Sequence, residues 1–179
     1  MIVFRHTDPR FPFLWESENQ PPARWHGKGE GPTHYFSTTA DAAWAELLRH
    51  EEITDPADLA GIDRSLWAVE LPAAPPRRPR LDALTLTGGP ETYPACRVEA
   101  RRLREAGAPG LIAPSAAVHP ATGSGWRADR GLRPGRRRPE SVIVLFGRRP
   151  DLVGWAACHE GRPRPDLLPR VRHLAREQS

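Results

Sequence analysis

An α+β fold with a largely antiparallel central sheet is what this sequence predicts, and three observations carry it. Strand-like stretches follow one another with few helices between them, unlike the regular strand–helix alternation of a parallel α/β protein. Helical periodicity is confined to a few segments, the clearest at 40–50 and 95–106. The 21 prolines and 15 glycines among 179 residues divide the chain into short elements joined by many turns. A chain of this length is expected to form one domain, residues 1–179, with enough buried surface for a core that needs no staple.

In order, Ile2 to Arg5 reads as a short strand, followed by a passage from Thr7 to Gly31 in which prolines and glycines prevent any long regular element. Thr33 to Phe36 reads as a second strand. Ser37, Thr38 and Thr39 then offer capping oxygens to a helix that starts near Ala40, in which Trp44, Leu47 and Leu48 form one buried stripe. Glu46 lies off that stripe. Asp55 to Asp63 reads as a linker or short helix, Leu66 to Leu71 as a strand, and Pro75 to Arg80 as an exposed connection, since proline removes ladder donors. Ala95 to Ala106 is an arginine-rich helix closed by Gly107, and Gly110 to Ala113 is a strand running into Pro114-Ser115. From His119 to Pro139 the dominance of Gly, Pro, Arg and Asp predicts a mobile loop. Val142 to Phe146 and Val153 to Ala157 read as two strands of a hairpin across Gly147 to Leu152, and a last helix is expected from Asp166 through Glu177.

Charge is unevenly placed. Residues 1–70 carry 6 basic and 12 acidic groups, and residues 71–179 carry 20 and 10. Lys28 is the one lysine, so arginine supplies nearly all the positive charge, a bias that coding composition produces as readily as selection does. A basic second half steers anionic partners, whether nucleotides, nucleic acids or acidic polypeptides. A nucleic-acid-binding protein is therefore a competing reading, motivated by Arg136-Arg137-Arg138, although no helix-turn-helix, zinc-finger or aromatic RNA-platform pattern accompanies that run. Cys96 and Cys158 form no Cys-x-x-Cys pair, which fits a reducing compartment. The start lacks a secretory pattern and no apolar run approaches membrane-spanning length, so a soluble cytoplasmic protein is expected.

Familiar site motifs are missing. Gly27, Gly29 and Gly31 are not followed by Lys-Ser/Thr or by a helix, so they make neither a phosphate loop nor a dinucleotide fingerprint. The seven histidines show no metal-ligand spacing, and no metal is expected. Ser115 lacks the Gly-x-Ser-x-Gly elbow of a hydrolase. Taken singly, Arg24 reads as a surface cation, Tyr35 as a packed aromatic, Glu46 as a solvated helix residue and Ser115 as a turn serine.

As an ordered set these residues say more. Arg24-Trp25, Tyr35, Ala45-Glu46-Leu47 with His50 beyond it, Val69-Glu70-Leu71 and Ala113-Pro114-Ser115-Ala116 together resemble the RES-domain family, named for its Arg, Glu and Ser. The resemblance spans about residues 3–157, leaving 158–179 as a C-terminal helical extension. The sequence departs from the family pattern at Ala23, where a Gly is usual, at Ala113, where a Val is usual, and after Ser115, where only His119-Pro120 remains of an Asn-Pro-x-His-Pro-like stretch. The resemblance implies an ADP-ribosyltransferase-like fold and the toxin of a toxin–antitoxin pair. Such a toxin consumes NAD by hydrolysis or phosphorolysis, or transfers its ADP-ribose to a protein acceptor. Arg24, Tyr35, Glu46 and Ser115 inherit the site role, and Arg5 joins them as a further NAD-binding residue. It also implies a cognate antitoxin, with the basic stretch from Arg127 to Arg138 offered to an acidic or C-terminal carboxylate segment.

The chemistry of these residue types agrees with that role. Breaking the nicotinamide–ribose bond develops oxocarbenium character on the ribose, which a fixed carboxylate, Glu46, would stabilise. A guanidinium fork, Arg24, suits a pyrophosphate. A ring held on a strand, Tyr35, can stack on nicotinamide, and Ser115 can donate to a phosphate or ribose oxygen. The glycines at 27, 29 and 31 are expected to let the chain pass close to the ligand.

Overall fold

The computed structural model describes residues 1–72, 77–120 and 122–174. Six strands form one sheet in which every neighbouring pair is antiparallel: β1 (Ile2–Thr7), β2 (Thr33–Ser37), β3 (Arg64–Glu70), β4 (Gly110–Pro114), β7 (Ser141–Phe146) and β8 (Val153–Gly161), in the order β4-β7-β2-β1-β3-β8. Three helices accompany them: α1 (Ala40–His50), the single-turn α2 (Ala83–Thr87) and α3 (Tyr93–Glu105). The α+β architecture expected from the sequence is the one observed.

Local chemistry sets the helix ends. The Thr39 hydroxyl accepts from the Ala42 N–H at 3.1 Å, Asp41 sits in the first turn of α1, and Arg49 and His50 sit in its last. At the end of α3, Gly107 adopts φ +73°, donates to Arg104, and lets the Ala108 N–H reach back to the Leu103 carbonyl at 3.0 Å. That paired closure needs a left-handed residue, which glycine supplies without strain.

Both long helices pack on the same face of the sheet. Trp44, Leu47 and Leu48 of α1 form one cluster with Leu66, Val118, Leu167 and Leu168, while Cys96, Ala100 and Leu103 of α3 join Trp25, Leu111 and Val144 in a second. The opposite face, with Val3, Phe36, Val69 and Ile143, is covered by Phe13, Leu14 and Leu152. Strand alternation explains the division, since neighbours along a strand point to opposite faces.

Three expectations are corrected. The stretch from His119 to Pro139, expected as a mobile loop, is largely strand among the described residues. It holds β5 (Thr122–Ala128) and β6 (Leu132–Pro139), a two-stranded ribbon separate from the main sheet. The strands at 142–146 and 153–157 exist but do not pair with each other: β7 lies between β4 and β2, and β8 pairs with β3 at the far edge. The segment expected to be a last helix is a 3-10 turn, Pro165–Arg170, with Pro165 at its start and Pro169 inside it, after which Val171 bridges to Val118. Pro165 is tolerated at the first position, but Pro169 lacks the N–H that an α-helix would bond back to residue 165. Residues 175–179 of that expectation lie outside the described residues, as do residues 75 and 76 of the predicted connection, where Arg77 bonds along the outer edge of β4.

Candidate functional site

The two helical clusters meet at the exit of β4, and there the sequence-predicted residues converge. Ser115 follows the strand's last residue and is 1% exposed. Its backbone N–H donates to Glu140, and its side chain donates to Glu46 Oε1 at 3.1 Å while accepting from the Ala117 N–H at 3.2 Å. Glu46 projects from α1 toward this serine. It is partly accessible yet closely enclosed, and this desolvation pushes its carboxyl above the usual range, against the pull of the Ser115 hydroxyl and the Arg49, Arg24 and His50 charges. Glu46 is thus not the solvated residue that helix periodicity alone suggests.

Arg24 enters from the loop between β1 and β2 and is 8% exposed. It lies 4.6 Å over the Tyr93 ring and donates to the Thr92 hydroxyl at 3.0 Å, the Thr85 carbonyl at 3.3 Å and the Gly88 carbonyl at 2.5 Å. Among the described residues its hydrogen-bond partners are uncharged, and its positive charge acts on the Glu46 carboxyl, favouring the ionised form.

Arg49, which sequence reasoning missed, completes the cluster. Three residues beyond Glu46 on α1 and 4% exposed, it donates to the carbonyls of Ala116 at 3.0 Å, Arg172 at 2.5 Å and Gly88 at 3.0 Å. The Gly88 oxygen therefore receives both guanidinium groups. The only signal in the sequence was the three-residue spacing from Glu46, and any cation in the last turn of a helix is explained as well by the helix dipole.

Tyr35 is adjacent but committed. Its hydroxyl accepts from the Trp25 N–H at 3.0 Å and lies 2.9 Å from His26 Nδ1, while His26 Nε2 is 2.9 Å from the Pro21 carbonyl. A carbonyl can only accept, so Nε2 carries the proton and Nδ1 takes the tyrosine's O–H. Burial raises the phenol above its normal range. The hydroxyl fixes the Arg24-Trp25-His26 segment, and what Tyr35 has left for a ligand is its ring.

Two expectations diverge from the geometry. Arg5 shares the Val3 face of β1 and so lies across the sheet from Glu46 and Ser115. There burial lowers its guanidinium to about 10, and Nη1 has no hydrogen-bond partner among the described residues. The glycine passage is shaped by the protein itself: Glu30 accepts from the Gly27 N–H at 2.6 Å and pairs with Arg101 at 2.9 Å, and a Cβ on Gly31 would stand 2.5 Å from the Ser17 carbonyl. Gly31 is there for a backbone crossing within the chain.

Among the described residues no group of three or more His, Cys, Asp or Glu could hold a metal ion, and no helix is long and apolar enough to cross a membrane. A family model described as RES domain matches residues 2–162. No curated protein matches the chain.

Proposed function

We propose, from the premise that this chain belongs to the RES-domain family, that it cleaves the nicotinamide–ribose bond of NAD and is held in check by a cognate antitoxin. The family has a toxin-like, NAD-related role. The observation that carries the finer reading is a desolvated carboxylate, Glu46, hydrogen-bonded by buried Ser115 and flanked by two buried arginines.

Ser115 holds Glu46 Oε1 and leaves the other oxygen for the ribose. As the bond between C1′ and the nicotinamide nitrogen breaks, the electron pair leaves with the neutral ring and positive charge grows on the ribose. A carboxylate fixed by Ser115 stabilises that charge without reorganising. Arg24, held within the fold by neutral partners, contributes its positive charge rather than a free fork to the binding of the pyrophosphate. The Tyr35 ring supports the nicotinamide while its hydroxyl keeps Arg24 in place. Water, giving up a proton to solvent, or inorganic phosphate then forms a new C–O bond at that same ribose carbon, yielding ADP-ribose or ADP-ribose phosphorylated there.

The test is purified protein incubated with NAD, with and without phosphate, and separation of nicotinamide from ADP-ribose products. Nicotinamide release that disappears in Glu46→Gln supports the reading, and a phosphate requirement selects phosphorolysis. Only the ionised carboxylate stabilises the cation, so kcat/KM should rise with pH along an acid limb displaced above the ordinary glutamate range. A folded protein with no release under either condition removes hydrolysis and phosphorolysis and leaves transfer to a protein acceptor.

A further inference from the structure

Away from this site, the β5–β6 ribbon has a composition and shape that the NAD chemistry does not use. Between Thr122 and Pro139 lie six arginines and one acidic residue, Asp129. The register sets Trp126 opposite Pro134 and Ala128 opposite Leu132, so these four share one face. Trp126 is 65% exposed and Leu132 77%, an apolar strip left in water on an arginine-rich ribbon. Directly opposite one another sit Arg127 and Arg133, a like-charged pair that costs stability by itself. Asp129 reaches Arg127 only at 3.9 Å, and Arg133 finds its backbone carbonyl at 3.2 Å.

At the root of the ribbon is an open hollow of about 420 Å³, lined by Trp126, Arg136 and Arg138 together with Asp41 and Glu140. The two carboxylates are already engaged. Asp41 lies 3.6 Å from Arg170, and buried Glu140 accepts the Thr39 hydroxyl at 2.8 Å and that of Thr38 at 3.3 Å. Arg138 donates to the Thr38 carbonyl, a neutral acceptor that leaves its charge in place, so with the carboxylates engaged the hollow faces a guest with the charge of Arg136 and Arg138.

We infer that the β5–β6 ribbon is a docking surface for an acidic polypeptide segment that carries aliphatic side chains. Charge complementarity sets the sign of the partner: carboxylates relieve the Arg127–Arg133 opposition and meet Arg136 and Arg138 at the hollow. The apolar strip sets its class. Single-stranded nucleic acid binds by stacking successive bases on successive rings, whereas here one ring is flanked by Leu132, Ala128 and Pro134, which suit leucine or valine side chains. The inference is independent of the NAD reading, because its test measures binding and no turnover.

The full-length protein would be titrated, by fluorescence anisotropy at near-physiological salt, into two labelled peptides of equal charge, one of glutamate and leucine and one of glutamate and serine, and into a single-stranded oligothymidylate. The leucine peptide should bind about tenfold more tightly than the serine peptide, the scale expected for burying an aliphatic side chain or two. The double variant Trp126→Ser/Leu132→Ser should erase that difference and leave the weaker charge-driven attraction. Arg133→Glu should weaken both peptides. All three positions are exposed, so unchanged circular dichroism and melting are expected to accompany these losses. Equal binding of the two peptides, or a preference for the leucine peptide that survives the double variant, overturns the proposal. Tighter binding of the oligothymidylate than of the leucine peptide also overturns it, in favour of a nucleic acid.

Discussion

Arginine does opposite work at the exit of β4 and on the β5–β6 ribbon. At the first place Arg24 and Arg49 are buried and donate to four carbonyl oxygens in three separate segments, so they join the chain to itself. On the ribbon Arg127, Arg130, Arg133 and Arg137 are exposed and hold little of the fold together. Residue type therefore says little about role here. Burial and the nature of the acceptor decide whether a guanidinium holds the fold or offers itself to a partner.

The contrast can be tested from its strongest consequence downward. Glu46→Gln should lower NAD turnover by about 100-fold or more, since losing an electrostatic stabiliser typically costs about 3 kcal/mol of barrier. The same change should leave thermal stability equal or higher, because a desolvated carboxylate is replaced by a neutral amide. Arg49→Ala should cost about 2–4 kcal/mol in a denaturant titration, as a buried guanidinium and its bonds to three carbonyls are lost. An unchanged midpoint would show that Arg49 is dispensable to the junction. Gly31→Ala should cost about 1–3 kcal/mol, because its new methyl meets the Ser17 carbonyl oxygen and backbone must move.

Acidification distinguishes the regions in another way. Burial holds His6 near a pKa of about 3 and lowers those of His26 and His34, so the folded state keeps these rings neutral. Once the pH falls below about 6.5 the unfolded chain takes up protons that the folded one refuses, and stability declines down to the folded values. The slope approaches about 1.4 kcal/mol per pH unit for each ring fully withheld. Unfolding midpoints measured between neutral and mildly acidic pH should therefore drop, and His6→Phe should flatten the decline. The smallest effect belongs to the ribbon: Arg133→Ala should change stability by no more than about 0.5 kcal/mol.

Those same differences explain what could be read in advance. The strand at 33–36 and the helix after Thr39 were legible because their signals are local, a capping hydroxyl followed by a 3.6-residue stripe. Arg24, Glu46 and Ser115 were legible as an ordered set, and the structure brings them to one junction. The ribbon was read as a loop because glycine, proline and arginine lack strand propensity, and its strands are supported by each other more than by composition. The pairing of β7 and β8 was misjudged because sequence neighbours were assumed to be partners, whereas β7 takes β2 from more than a hundred residues earlier. Arg49 went unseen because its role depends on where Gly88, Ala116 and Arg172 arrive, which no local window contains.

Strand order has one more consequence, for the making of the protein. β4, which delivers Ser115, joins the sheet by hydrogen bonding to β7, and β7 is the strand that links it to β2. A growing chain that has emerged only as far as Glu140 already carries Arg24, Tyr35, Glu46 and Ser115, yet lacks the strand that sets the serine beside the carboxylate. Assembly of the candidate site therefore waits until Phe146 has been added, and a fragment released by early termination would contain all four of these residues without the sheet that brings them together.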